Sequence, residues 1–396
     1  MRPTDHSANR FDPRRERGTV LVIVLVTLLF TTLALLLFIE KASTDLIVHV
    51  RDSDRIRLRQ EAYSALETTL AVLVDFREVI GGLHSPAEGW AEPLEWGDYE
   101  PEEGREVKVT FVDESGRIPF SSLDFQMWVV LFESWGVREF DAEKWADALM
   151  GWSQEEYVAS TFDAPRLEDY ERDPLGFAPP GRAPHSWEEL RAIDLIRDEF
   201  FDETGRPNEY YQRMQESVTL LKYSTPNINA ASNGALAALG RYDENQQELL
   251  RDYLGGGGVY RSQGPGYFTD AGEVATVLGD QAVIEGFGTE IQALRITVEV
   301  TQGAASYVLS VVIAPPGGAA PNATEPIPER ESLNGQAETE SATRNPIIAA
   351  AAMAIAGPGG EDDLPDSIEY PFTLLSIQEM DAADHIARLT QAFDTE

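Results

Sequence analysis

From Thr19 to Ile39 the chain reads TVLVIVLVTLLFTTLALLLFI, 21 residues without a charge, of which 16 are Leu, Ile, Val or Phe. A helix of that length just crosses a hydrocarbon layer of roughly 30 Å at about 1.5 Å per residue. Each of those apolar residues favours insertion by about 0.3 to 0.6 kcal/mol, so the four threonines do not reverse the balance. Beyond the run, apolar residues fall at Leu46, Ile47, Val50, Tyr63, Leu66, Leu70, Leu73 and Val74, with Arg, Asp and Glu between them. Spacings of three and four predict a helix to about Val79, stopped by Gly81-Gly82. The pattern fits an anchor followed by a separate helix. It equally fits one stalk of roughly 90 Å at about 1.5 Å per residue, with its outer half packed on a small sheet.

Residues 83–104, rich in Pro, Gly, Glu and Trp, read as loop. Alternation over Glu106–Val112 predicts a strand and Asp113–Arg117 a turn. A helix follows with Met127, Trp128, Val130, Leu131 and Trp135 on its expected buried face, then a second over Asp141–Trp152. Residues 153–185 read as irregular, and Ser186 with Glu189 has the spacing of a capping box that would open another helix. Helical pieces continue to Tyr253 and break at Gly255–Gly258. Gln292–Val300 and Ser306–Ile313 read as two strands joined near Gly303, and Tyr370–Ile377 as a last strand before a short C-terminal helix. Residues 315–345 read as linker, while Pro346–Ala356 is apolar but too short to span a bilayer.

Charge sets the orientation and narrows the partners. Arg2, Arg10, Arg14, Arg15 and Arg17 precede the apolar run and acidic residues follow it, so the positive-inside rule puts the short arm in the cytoplasm and the body outside. A secretory signal peptide has a shorter apolar region, closed by a small-x-small site that is lacking here. The net charge of −37 makes nucleic acid an unfavourable partner for the chain as a whole. With no cysteine, thiol catalysis and Cys-based zinc sites are excluded; His6, His49, His84, His185 and His385 are too scattered for a histidine metal cluster. No phosphate loop, His-x-x-x-His pair or Gly-x-Ser-x-Gly elbow points to an enzyme.

The junction Arg15-Glu-Arg-Gly-Thr-Val-Leu-Val-Ile23 resembles a type IV prepilin leader. By that resemblance a prepilin peptidase cuts between Gly18 and Thr19, and Ile23 becomes the fifth mature residue, where pilin-like proteins usually carry Glu. Three further stretches extend the likeness: Val112-Asp-Glu-Ser-Gly-Arg-Ile-Pro-Phe-Ser-Ser-Leu123; Trp145–Trp152 with Ser186–Arg191; and Pro226-Asn-Ile-Asn-Ala-Ala-Ser-Asn-Gly-Ala-Leu-Ala-Ala-Leu239. In this order they resemble the type II secretion protein K family, the largest minor pseudopilins, which also lack the fifth-position Glu.

The resemblance implies an α+β fold: a long N-terminal transmembrane and stalk helix packed on a small antiparallel pilin-like sheet, with a large inserted helical domain. Its parts would be a leader at 1–18, a membrane segment at 19–39 and a stalk continuation at 40–80. The β domain would be built from 83–123, 290–313 and 368–378, the inserted helical domain from 124–254, and a low-complexity flexible segment from 315–360. It implies a non-enzymatic subunit in the inner membrane, with a periplasmic body, at the tip of a pseudopilus serving protein export across the outer membrane. Its partners would be the minor pseudopilins I, J and H, prepilin peptidase and inner-membrane lipid, with no nucleic acid.

The family also implies calcium in the inserted domain, but the residues after the Asp147 helix read Gly151-Trp-Ser-Gln-Glu-Glu-Tyr157, poor in the expected aspartates. Asp163, Glu168, Asp169, Glu171 and Asp173 follow nearby and could supply hard oxygen ligands, but in a chain with 68 acids they read first as a solvated acidic loop, and no calcium ligand is assigned. Two other readings stand beside this one. A generic single-pass inner-membrane protein with an acidic periplasmic interaction domain needs only the anchor. A helix-hairpin-helix DNA-binding reading of Asn227–Gly240 lacks the Gly-Ile-Gly hairpin and conflicts with the acidic balance.

Overall fold

The computed structural model describes residues 13–165, 169–170, 178–279, 282–303, 305–322 and 371–381. The chain forms two compact units that meet between Gln60 and Glu61, and helix α1 (Pro13–Ile80) contributes to both.

In the first unit, Val20–Leu46 is long and apolar enough to cross a membrane, reaching a mean hydropathy of 3.0 over its most apolar 18 residues. It extends past Ile39, where the uncharged run ends. The hydroxyls of Thr27, Thr31 and Thr32 donate to carbonyls three or four residues back, at 2.7–3.0 Å, so these threonines present little unsatisfied polarity to their surroundings.

The second unit is α+β. Its sheet has four antiparallel strands: β1 (Glu106–Asp113), β2 (Leu294–Gln302), β3 (Ala305–Ala314) and β4 (Thr373–Asp381), in the order of their numbers. Strand β2 alternates as a sheet with one well-buried face requires, burying Leu294, Ile296, Val298 and Val300. Strand β3 is buried on both faces from Tyr307 to Ala314, so the sheet is covered on both sides at its centre. β2 and β3 form a hairpin in which Gln302 faces Ala305 and Gly303 has φ 61°. Tyr370, where the last strand was expected to begin, lies outside the described residues; the strand runs from Thr373, after Pro371, which has no N–H for a ladder, and its pairing with β3 carries it on to Asp381 opposite Tyr307.

The outer end of α1 buries Ala62, Ala65, Leu66, Thr69, Val72 and Leu73, a single stripe at helical spacing. Polar ties bind this segment to both edges of the sheet. At one edge, Arg105, which leads into β1, donates to Glu61 Oε2 at 2.7 Å, and Tyr99 donates to Glu61 Oε1 at 2.5 Å. At the other, Tyr63 donates to Glu379 of β4 at 2.7 Å, and Arg77 donates to the Pro371 carbonyl at 2.5 Å while lying over the Phe372 ring. The helix ends at Ile80, and Gly81 turns the chain with φ 93°. Residues 83–104, predicted as loop, contain a 3-10 turn at Pro86–Glu88 and one helical turn at Pro93–Trp96.

Between β1 and β2 the chain leaves the sheet to build a helical body from α2 (Phe125–Ser134), α3 (Glu139–Ser153), α4 (Asp194–Phe200), α5 (Glu209–Ser217), α6 (Asn233–Ala238) and α7 (Glu244–Gly255). Trp128, Phe132, Trp145 and Phe200 form its aromatic centre, with successive rings 5.3–5.5 Å apart. The buried face of α2 differs from the expected one. Trp128, Val129, Leu131 and Phe132 are buried, whereas Met127, Val130 and Trp135 are only partly so. The Asp124 cap, which accepts from the Met127 amide at 2.8 Å, sets where the helix begins, and contacts with both α3 and α6 widen its apolar face.

The predicted capping box at Ser186 does not form. Trp187–Ala192 is a 3-10 helix, Ser186 makes no side-chain cap bond, and Glu189 instead accepts from the His185 amide at 3.0 Å and from Arg182 at 3.1 Å. A capping box occurs at Asp243 and Gln246, at the start of α7. The described part of 315–360 ends in a two-residue ribbon, Leu221–Lys222 paired with Ala320–Pro321. The apolar stretch Pro346–Ala356 and the expected C-terminal helix lie outside the described residues.

Candidate functional site

Three places carry the chemistry singled out in the sequence. At the first, Gly18 and Thr19 lie within the helical backbone of α1, and Ile23 is 59% exposed on an apolar surface. A helix whose apolar side chains point outward all round is suited to lipid or to packing against other apolar helices.

The second is a polar junction between sheet and helical body, where two motifs separated by more than a hundred residues meet. After β1 the chain turns through Glu114–Gly116 as a 3-10 helix capped by Asp113, whose carboxylate accepts from the amide of Ser115 at 2.8 Å and from its hydroxyl. The segment from Asn227 docks against this turn. The Asn227 amide donates to the Ser115 carbonyl at 2.7 Å, and the Ser232 amide to the Gly116 carbonyl at 3.0 Å. The Asn227 carboxamide donates to Asp113 Oδ2 at 2.7 Å and to the His84 carbonyl at 2.9 Å.

Two residues on, Asn229 pairs with the Phe268 backbone in both directions, at 2.7 and 2.9 Å, and also donates to the Thr289 carbonyl at 3.0 Å. His84 Nδ1 lies 3.0 Å from that same carbonyl oxygen. The approach is so close that a Cβ on Gly116 would stand 1.9 Å from the Ala230 carbonyl oxygen.

Electrostatics at the junction are strongly perturbed. Burial pushes the Asp113 carboxyl up to about 6, against the lowering effect of its bonds from Ser115 and Asn227. Burial also raises the Tyr223 hydroxyl, which donates to the Arg117 carbonyl at 2.5 Å. Glu114, with 4% of its side chain exposed, receives Arg295 Nε on Oε1 at 2.6 Å and Arg117 Nη1 on Oε2 at 2.5 Å.

The third is the acidic region after α3. Asp147 is fully buried and accepts from the Tyr157 hydroxyl at 2.7 Å and from the Thr161 amide and hydroxyl at 2.6 and 2.7 Å. Protein donors thus reach both of its oxygens, and burial together with this bond raises the Tyr157 hydroxyl. Of the acids named as calcium candidates, Asp163 is exposed and lies 3.5 Å from Lys144, Asp169 sits near Tyr170, and Glu168, Glu171 and Asp173 lie outside the described residues. Among the described residues no group of three His, Cys, Asp or Glu side chains stands close enough to hold a metal ion.

The sequence singled out Asp113–Arg117 and Asn227–Asn229 as motif residues. It did not show that they bond to one another, nor that His84, Thr289 and Arg295 belong to the same network. Arg295 left one trace: with Glu299 it is one of two charges in a strand otherwise rich in apolar and β-branched residues. No family model matches the chain, and no curated protein matches it. Among solved structures, it is similar to a chain from the crystal structure of the GspK–GspI–GspJ complex of the enterotoxigenic Escherichia coli type 2 secretion system. That similarity has 14% identity and a TM-score of 0.46, and covers 68% of this chain and 95% of the other.

Proposed function

We propose that this protein is a minor pseudopilin of the protein K kind, anchored in the inner membrane with its body in the periplasm. In this reading it caps a pseudopilus with minor pseudopilins I, J and H and takes part in protein export without catalysing a reaction. The observation that carries the proposal is the route of the chain. An apolar N-terminal segment continues as helix α1, and the outer end of that helix is tied by Glu61 to Arg105 just before β1, by Tyr63 to Glu379 of β4 and by Arg77 to Pro371 just before β4, the two edges of a four-stranded antiparallel sheet. The helical body is inserted between β1 and β2.

Ile23 suits an end position. A carboxylate at this point in lipid is costly unless a neighbouring subunit pairs with it, and a terminal subunit has no neighbour above it. The DNA-binding alternative is disfavoured by the α6–α7 turn itself, where Asp243, Glu244 and Glu248 would repel phosphate.

Co-expression with a prepilin peptidase, followed by mass spectrometry of the membrane-extracted protein, tests the reading. A mature chain beginning at Thr19, and loss of that processing in Gly18→Asp, are the expected results. An N-terminus that remains at Met1 in the presence of active peptidase overturns the proposal and leaves an anchored acidic domain.

A further inference from the structure

A cavity of about 250 Å³ opens where the helical body meets the sheet. Its floor is the Glu114 ion network. One buried carboxylate holds two guanidiniums there, so a positive charge is left over in a chain whose net charge is −37. Arg117 and Arg295 are each about one-third exposed, at 31% and 32%, and Glu114 engages Arg117 through one Nη and Arg295 through Nε. Further N–H groups of both arginines are left over on the cavity lining; one of them, on Arg295 Nη1, makes only a long 3.4 Å bond to Ser310. Asn322 also lines the cavity, and its Nδ2 is buried with no hydrogen-bond partner among the described residues. A buried donor without a partner costs free energy until something accepts from it.

The rest of the lining is mixed, with His185, Thr219 and Ser376 beside a group of apolar side chains. Leu221 comes from the two-residue ribbon, Val312 from β3 and Leu375 from β4. A fully hydrated inorganic anion would leave these surfaces in contact with water. A carboxylate with a short hydrocarbon group satisfies both sides: its two oxygens match the fork geometry of the guanidiniums, and its apolar part covers the leucines. We propose that this cavity is a binding site for a carboxylate bearing a small branched apolar group, held by Arg117 and Arg295 with Asn322 as an additional donor. The site stands independently of the pseudopilin reading, since it needs only the second unit.

Calorimetric titration of the full-length protein in detergent micelles, at fixed salt, tests the site. N-acetyl-leucine should bind saturably, and N-acetyl-leucinamide, which lacks the carboxylate, about tenfold or more weakly. Sodium sulfate should compete poorly. Leu375→Trp, which fills the apolar end while leaving the ion network in place, should abolish binding with little change in thermal midpoint. Arg295→Lys, which retains the charge but not the fork, should weaken it by about tenfold.

Tighter binding of Ala-Ala-Leu with a free C-terminus than of N-acetyl-leucine would assign the site to the end of a peptide chain. Equal binding would assign it to small free carboxylates, and either result upholds the carboxylate site. Equal affinity for acid and amide, binding by folded Leu375→Trp at the wild-type level, or no saturable binding overturns it.

Discussion

The Asn227 carboxamide donates at once to the Asp113 carboxylate, at 2.7 Å, and to the His84 carbonyl, at 2.9 Å. One fully buried side chain thus joins the end of β1, the segment after α1 and the helical body. Its backbone extends the same link by donating to Ser115. The sheet and its insertion are held in register here by directional bonds rather than by apolar contact alone.

Replacing Asn227 with Leu should therefore cost more than a surface change. It leaves Asp113 Oδ2 and the His84 carbonyl without the donor they share, while Ser115 still serves Oδ1, for a loss of about 2–4 kcal/mol. Urea unfolding followed by far-UV circular dichroism measures this. A midpoint within error of wild type would mean that water replaces the carboxamide at no cost.

Asp113 should make stability depend on pH in a direction opposite to that of most carboxylates. Its folded value of about 6 lies above the ordinary 3.8, so the folded state binds the proton more tightly. The resulting stabilisation is fully present below about 3.8 and is lost as pH rises through about 6. The stability difference between wild type and Asp113→Asn, measured by urea titration at several pH values from 4 to 7, should fall across this window and then level off. A flat difference would show that Asp113 titrates normally.

Gly116→Ala should destabilise the protein by about 3 kcal/mol or more, because the new methyl would overlap a backbone carbonyl that cannot move without breaking the Asn227 and Ser232 bonds. Gly104→Ala is the matched control. It has φ 81° but open space around it, and should cost only about 1 kcal/mol. Thermal midpoints of the two variants separate steric overlap from backbone strain.

Arg105→Ala should cost about 3–5 kcal/mol, since it leaves Glu61 charged in a site where both partners are about 5–6% exposed. Glu61→Gln in the same background should recover part of that loss, and a double-mutant cycle gives the coupling.

The elements governed by local periodicity were legible from residue order alone. These include the apolar segment, the helix halted by Gly81, the alternating strands at 106–112 and 292–300, the hairpin at Gly303 and the α+β class. Each depends on side chains within one or two turns, or on every second residue of a strand, so a linear pattern suffices. Tertiary contacts decided the rest. The face of α2 turned because two helices pack against it, and Glu189 capped His185 rather than Ser186 because Arg182 and the 3-10 backbone were within its reach. Strand β4 ran on to Asp381 in the register its partner offered. Above all, the pairing of Asp113 with Asn227 and the gathering of Arg117 and Arg295 around Glu114 join residues more than a hundred positions apart. Residue types can show that such groups need partners; only the folded chain brings those partners within hydrogen-bond distance.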